Sequence, residues 1–165
     1  KILTEGYFKG IWTIIFFIFI YYMSDYPKRY IPKGLSKADK EKQKKQLDKS
    51  TSDYKKGKYT DREKIKSFKG KKSSFVEQIK EKLGVPMNFE KVADKLAKTD
   101  KRKKELLKGF EEIYDKGKGA FYSSGSRPNQ TPESWGKARV ASVLVGGASR
   151  KIDDKIVKKY NIPKI

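Results

Sequence analysis

The 165-residue chain contains no cysteine and no histidine. The first absence excludes a disulfide framework, a thiolate nucleophile and a cysteine metal site. The second removes the usual general base, and both together remove the commonest transition-metal ligands, leaving Asp, Glu, Lys and Tyr to run any reaction. Neither a Walker-type phosphate loop nor a G-x-G-x-x-G pattern is present; Gly136-Lys137 is followed by Ala138 and falls inside a predicted helix. Acids are scarce as well, with 20 Asp and Glu against 41 Lys and Arg, a formal net charge of +21. No catalytic residue, metal site, cofactor or small-molecule substrate is expected from this composition, and an enzyme is not the favoured class.

One stretch is free of that charge. From Gly10 to Pro27 the single charged residue is Asp25, and the run Ile11, Trp12, Thr13, Ile14, Ile15, Phe16, Phe17, Ile18, Phe19, Ile20, Tyr21, Tyr22, Met23 would be rejected by water. As a helix, Gly10 to Pro27 would span roughly 27 Å, close to a hydrocarbon core of about 30 Å. Trp12, Tyr21, Tyr22 and Tyr26 stand where interfacial aromatics belong, and Lys9, Lys28 and Arg29 bracket the segment. A cleavable signal peptide would need a small-residue cleavage site that Tyr-Tyr-Met-Ser-Asp-Tyr-Pro lacks. A buried core helix would need more apolar partners than the rest of the chain offers. The expectation is a single membrane anchor in residues 1–27, in contact with a lipid bilayer. The positive charge that follows predicts a cytoplasmic carboxy-terminal body.

Residues 28–72 hold nine hydrophobic residues among 45 and 18 basic residues against six acidic ones. Ser36 and Asp39 mark a helix start, and 37–51 has helix-forming composition, yet its apolar content is Ala38 and Leu47 alone. The tract YKKGKYTDREKIKSFKGKK then carries Lys55, Lys56, Lys58 and Tyr59 between Tyr54 and Phe68. The expectation is an extended, partly helical basic arm that gains order on contact with a partner.

Residues 73–165 have 33 hydrophobic residues among 93 at helical spacing and predict a small all-α bundle. Ser74 with Glu77 reads as a capping box, Asn88 and Asp100 as further caps, Gly117 as a helix stop, and Thr131-Pro132 as another start. Ser149 opens a last helix that Asn161 and Pro163 end. The fold class is thus all-α, with one N-terminal transmembrane helix, an extended basic arm and a small helical bundle. Between helices, GKGAFYSSGSRPNQT (117–131) reads as a polar loop. It either links and caps helices or presents Phe121, Tyr122 and Arg127, with the neighbouring Trp135, as anchors for a partner. Asn129-Gln130-Thr131 matches the glycosylation pattern, with Pro132 lowering its use.

The phrases RYIPKGLSKADKEKQKKQLDKS, YKKGKY, KIKSFKGKKS and GKGAFYSSGSRPNQTPESWGKARVASVLVGG resemble a family of uncharacterised, minor capsid-like proteins encoded by large nucleocytoplasmic DNA viruses of algae and protists. The resemblance covers roughly 29–74 and 117–155 and skips the middle helices. It implies a virion protein lying between an internal membrane and the capsid shell, with major and other minor capsid proteins as partners. No catalytic residues come with it. The rival class is a basic nucleic-acid-binding protein, in which interleaved Tyr and Phe stack on bases. Against it, the charge is spread evenly and carries no known nucleic-acid fold signature.

Overall fold

Two glycines fix the centre of the structure. A computed structural model describes residues 26–70 and 73–165. Among these it forms α1 (Lys37–Tyr54), α2 (Ser74–Leu83), α3 (Phe89–Leu96), α4 (Asp100–Ser124), α5 (Pro132–Leu144), α6 (Ala148–Ile152) and α7 (Asp154–Lys159), with no strand. The long α4 packs most extensively on α5, and α1, α3 and α7 also pack against α4. A Cβ on Gly117 of α4 would lie 2.6 Å from the Cα of Gly136 in α5, and one on Gly136 would lie 2.5 Å from the Tyr114 ring. The two backbones meet where neither has a side chain.

That crossing corrects the expected stop at Gly117. Helix α4 runs through Gly117 and Gly119 to Ser124, so the first half of the predicted loop is helical. A glycine inside a helix costs about 1 kcal/mol relative to alanine, an amount that the packing of the crossing offsets. Other signals behaved as their chemistry requires. Ser36 accepts from the Asp39 amide, Asn88 from the Lys91 amide, and Thr131 forms a reciprocal box with Ser134 ahead of Pro132. Gly84, at φ 70°, ends α2 in the left-handed conformation. Two caps moved: Ser73 precedes α2 with no side-chain cap, and Thr99 rather than Asp100 caps α4. The last helix is broken in two at Asp153.

The main core gathers Ile79, Val92, Leu106, Phe110, Ile113, Val140, Leu144, Ile156 and Ile162, all buried, from α2 through the C-terminal tail. Asp153 is buried beside it, its carboxylate bound by Arg139 Nε at 2.7 Å, Arg139 Nη2 at 2.9 Å and Lys116 Nζ at 2.9 Å. Burial alone would raise its pKa, but the bonds from Arg139 and Lys116 outweigh it and hold the carboxyl below the usual range. Ionised Asp153 thereby ties α4, α5 and the α6–α7 break together.

Two parts of the expected fold class are corrected. No helix of the described residues is long and apolar enough to cross a membrane. The run expected to do so, Ile11, Trp12, Ile14, Ile15, Phe16, Phe17, Ile18, Phe19, Ile20, Tyr21, Tyr22 and Met23, lies outside the described residues. The basic arm is not an extended tether. Tyr30, Leu35, Leu47 and Ile65 are buried, as are the polar Gln43 and Ser50, and α1 lies on α4. Its few apolar residues suffice because they close on other parts of the chain, Leu47 and Tyr30 on Gly125 just after α4 and Tyr30 on Trp135, at roughly 1.5–3 kcal/mol per large buried side chain.

Gly117→Ala is expected to destabilise the protein by about 1–3 kcal/mol through overpacking against the Gly136 backbone, read as a lower urea midpoint at unchanged slope. Asp153→Asn is expected to cost roughly 3 kcal/mol, at the low end for a broken buried pair because Lys116 keeps contact with water. Since the folded pKa of Asp153 is depressed, its contribution is fully present above the unfolded value of about 3.9 and lost as pH falls through the folded one. The stability gap between the two proteins should therefore be constant near neutrality and shrink in acid. A gap independent of pH down to the acid transition would refute this account.

Candidate functional site

The end of α4, the polar segment after it and the basic arm form one unit around Arg62, which reaches Phe121 and Ser126, 59 and 64 residues away. Nη1 donates to Ser126 Oγ at 2.9 Å, and Nη2 donates to Ser50 Oγ at 2.9 Å and to the Phe121 carbonyl. The guanidinium carbon lies 4.1 Å from the centroid of the Phe121 ring. No carboxylate bonds Arg62 among the described residues; hydroxyls, a carbonyl and a π-face solvate it. Burial pushes its pKa down to about 10, which leaves it charged at neutral pH. Arginine suits this position because its planar fork reaches three acceptors while its face stacks on a ring.

Around that clamp the polar side chains go to main-chain groups. Gln43 Nε2 donates to the carbonyls of Tyr30 and Ser126, both at 3.2 Å, and Ser50 Oγ donates to the Tyr122 carbonyl at 3.3 Å. Asn129 accepts from the Ile65 amide at 2.7 Å and donates to the Ile65 carbonyl at 3.0 Å, bonding one residue of the arm as a neighbouring strand would. Its backbone is left-handed, φ 58°, a conformation that asparagine tolerates better than most residues. The matched glycosylation pattern is thus occupied by a structural side chain. Asp39 accepts from the Ser67 amide at 2.8 Å while Ser67 Oγ accepts from the Ser36 amide at 3.2 Å, pinning the far end of the arm to the start of α1.

The eight expected partner-binding residues divide into separate groups. Tyr59 is 68% exposed and meets Tyr122 edge-on at 5.0 Å, while Tyr122 stacks with Tyr54 at 6.4 Å. Exposed Lys55, Lys56 and Lys58 stand on the turn that joins Tyr54 to Tyr59. Phe121 is buried and serves Arg62 rather than a partner. Trp135 is partly buried, edge-on to the buried Tyr30 at 5.8 Å. Arg127 is exposed and lines a shallow cavity with Arg29, Pro32, Phe68 and Lys69.

Sequence reasoning missed Gln43, Ser50, Arg62, Ser126 and Asn129, which hold the unit together. One signal was available: Arg62 is the only arginine between Arg29 and Arg102, in a tract where lysine is otherwise the rule. Among the described residues no group of three acidic side chains is placed to hold a metal ion. What the arrangement offers chemically is a rigid basic surface with one exposed aromatic anchor.

A family model described as a family of unknown function, DUF5824, matches residues 27–159. The match runs from the start of the arm through the middle helices to the end of α7, which agrees with their packing as one body. No curated protein and no solved structure matches the chain.

Arg62→Lys is expected to lower stability by about 2–4 kcal/mol, because an ammonium cannot serve three acceptors and the ring face at once. Amide exchange in residues 59–70 should accelerate more than exchange in the α4–α5 core. Uniform acceleration across the protein would show that the clamp is not local.

Proposed function

The chain belongs to the DUF5824 family, and on that premise we propose that it is a non-catalytic structural protein of a virion, a minor capsid-like component whose basic body docks on acidic faces of capsid subunits. The virion and the capsid partners come from the sequence resemblance; the manner of docking comes from the surface. The observation that carries the reading is the corner formed by Tyr59, Tyr122 and Tyr54 beside Lys55, Lys56 and Lys58. There an exposed ring is braced by two others and surrounded by cations. A braced aromatic loses little side-chain freedom on binding, and such residues carry a large share of interface energy. The flanking lysines steer an acidic partner and add specificity more than affinity.

Folding of the arm changes what docking requires. An arm disordered until bound would lose affinity to its own ordering, whereas one held by Arg62 and Asn129 meets its partner in a fixed shape. A second reading, binding to single-stranded nucleic acid, draws on the same corner, since Tyr59 could stack on a base while the lysines contact phosphates. The two differ in salt response. Phosphate binding weakens steeply with salt through counterion release, while an interface with an aromatic anchor retains more of its affinity.

Cross-linking mass spectrometry on intact particles is expected to join Lys55, Lys56 or Lys58 to capsid subunits, and Tyr59→Ala is expected to deplete those links by about tenfold. Links chiefly to genome-packaging proteins, lost in high salt, would overturn the capsid reading in favour of nucleic acid.

A further inference from the structure

Six arginines are present, and four of them are engaged inside the protein. Arg62 holds the arm. Arg102 donates to the carbonyls of Tyr160 and Asn161 at 2.9 and 2.7 Å, and Arg139 grips Asp153. Arg150 donates to the carbonyls of Val143, Pro163 and Ile162 at 3.1, 3.2 and 2.9 Å. The two left over, Arg29 and Arg127, lie 98 residues apart in sequence, yet both line one cavity of about 250 Å³ together with Lys69, Pro32 and Phe68.

No acid lines this cavity. Among the described residues, the side chains of Arg127 and Lys69 have no hydrogen-bond or ion-pair partner, and Arg29 has only the Tyr30 ring, 5.2 Å from its guanidinium carbon. Elsewhere Lys42, Lys103, Lys116, Lys118, Lys158 and Lys159 find carboxylates. Three cations converging without a counter-charge repel one another, and a polyanion relieves that repulsion. The backbones that present the two arginines are held by their neighbours. Tyr30 is buried against Trp135, and Arg127 lies between the buried Ser126 and Pro128, next to the Asn129 bridge.

We infer that this cavity is a binding site for a diphosphate-bearing ligand of the nucleoside diphosphate class. A single carboxylate would leave most of the positive charge unbalanced, whereas a diphosphate supplies several charged oxygens for two guanidinium forks and an ammonium. Phe68 and Pro32 offer the apolar surface on which a planar base rests. The cavity is smaller than the roughly 300–1,000 Å³ of an enclosing ligand pocket, so it holds the diphosphate and one face of the ring, and affinity is modest. This inference is independent of docking through Tyr59, and its failure would leave the expected cross-links untouched.

The test is isothermal titration of the full chain at constant ionic strength with inorganic pyrophosphate, adenosine diphosphate and sulfate. Pyrophosphate should bind one to one with a Kd on the order of 10–100 µM, adenosine diphosphate more tightly, and sulfate more weakly than either. Arg127→Gln, an exposed change that leaves the fold intact, should weaken both phosphate ligands at least tenfold, while Lys104→Gln on the exposed face of α4 should not. Phe68→Leu should abolish the advantage of the nucleotide and leave pyrophosphate binding unchanged. Absence of binding, or equal weakening by Arg127→Gln and Lys104→Gln, would overturn the site in favour of diffuse charge attraction. Equal affinity for pyrophosphate and adenosine diphosphate would overturn the nucleoside part.

Discussion

A half-buried guanidinium without a carboxylate partner among the described residues is the constraint on which the arm depends. Taking Arg62 out of water would cost several kcal/mol if nothing replaced its hydration. Ser50, Ser126, the Phe121 carbonyl and the Phe121 ring, which come from α1, the end of α4 and the segment that follows, replace it at Nη1, Nη2 and the guanidinium face, while Nε is buried without a partner among the described residues. Those acceptors converge because α4 extends to Ser124, and the same helix passes α5 closely at Gly117. The glycine crossing, the helix length and the arginine clamp therefore share one helix. The segment that leaves α4 brings Asn129 to Ile65 and Arg127 to the cavity beside Arg29.

The parts legible in the sequence were those written in local chemistry. Apolar spacing through Phe110 and Ile113, the Asn88 cap, the Thr131-Pro132 start and Gly84 each depend on neighbours a few residues away, and each took its expected place. What escaped were roles set by contacts across the fold. Gly117 reads as a terminator when only its own helix is considered, because its use against Gly136 needs a partner 19 residues on. The arm reads as disordered when its nine hydrophobic residues are weighed against its own length, because Leu47 and Tyr30 are buried against Gly125 and Trp135 and their polar neighbour Gln43 bonds to the carbonyls of Tyr30 and Ser126. Of the expected surface anchors, Tyr59, Arg127 and the three lysines of the turn are exposed. Phe121 looks the same in sequence and is buried, while Trp135 is partly buried against Tyr30.

The 35 lysines and six arginines do different work, and the division bears on function. An ammonium is strongly hydrated and remains outside at little cost, whereas a guanidinium is more weakly hydrated and can bind several acceptors in a plane. Arg62, Arg102 and Arg150 each fasten main-chain carbonyls, and Arg139 holds the buried Asp153. Lysines make up most of the outer charge, so net charge can be high at little desolvation cost.

That partition gives exposed, unsatisfied arginine a particular meaning in this chain. Where four of six are bound to oxygens supplied by the protein, a pair left facing the same cavity has donor capacity that nothing among the described residues uses. Lysines distributed over a surface attract any polyanion, and their effect fades with salt. Two guanidinium forks on fixed backbones, with an ammonium and an aromatic ring beside them, select for oxygen geometry as well as charge. The protein thus separates general attraction, carried by lysine and steered toward the Tyr59 corner, from specific oxyanion recognition, carried by Arg29 and Arg127.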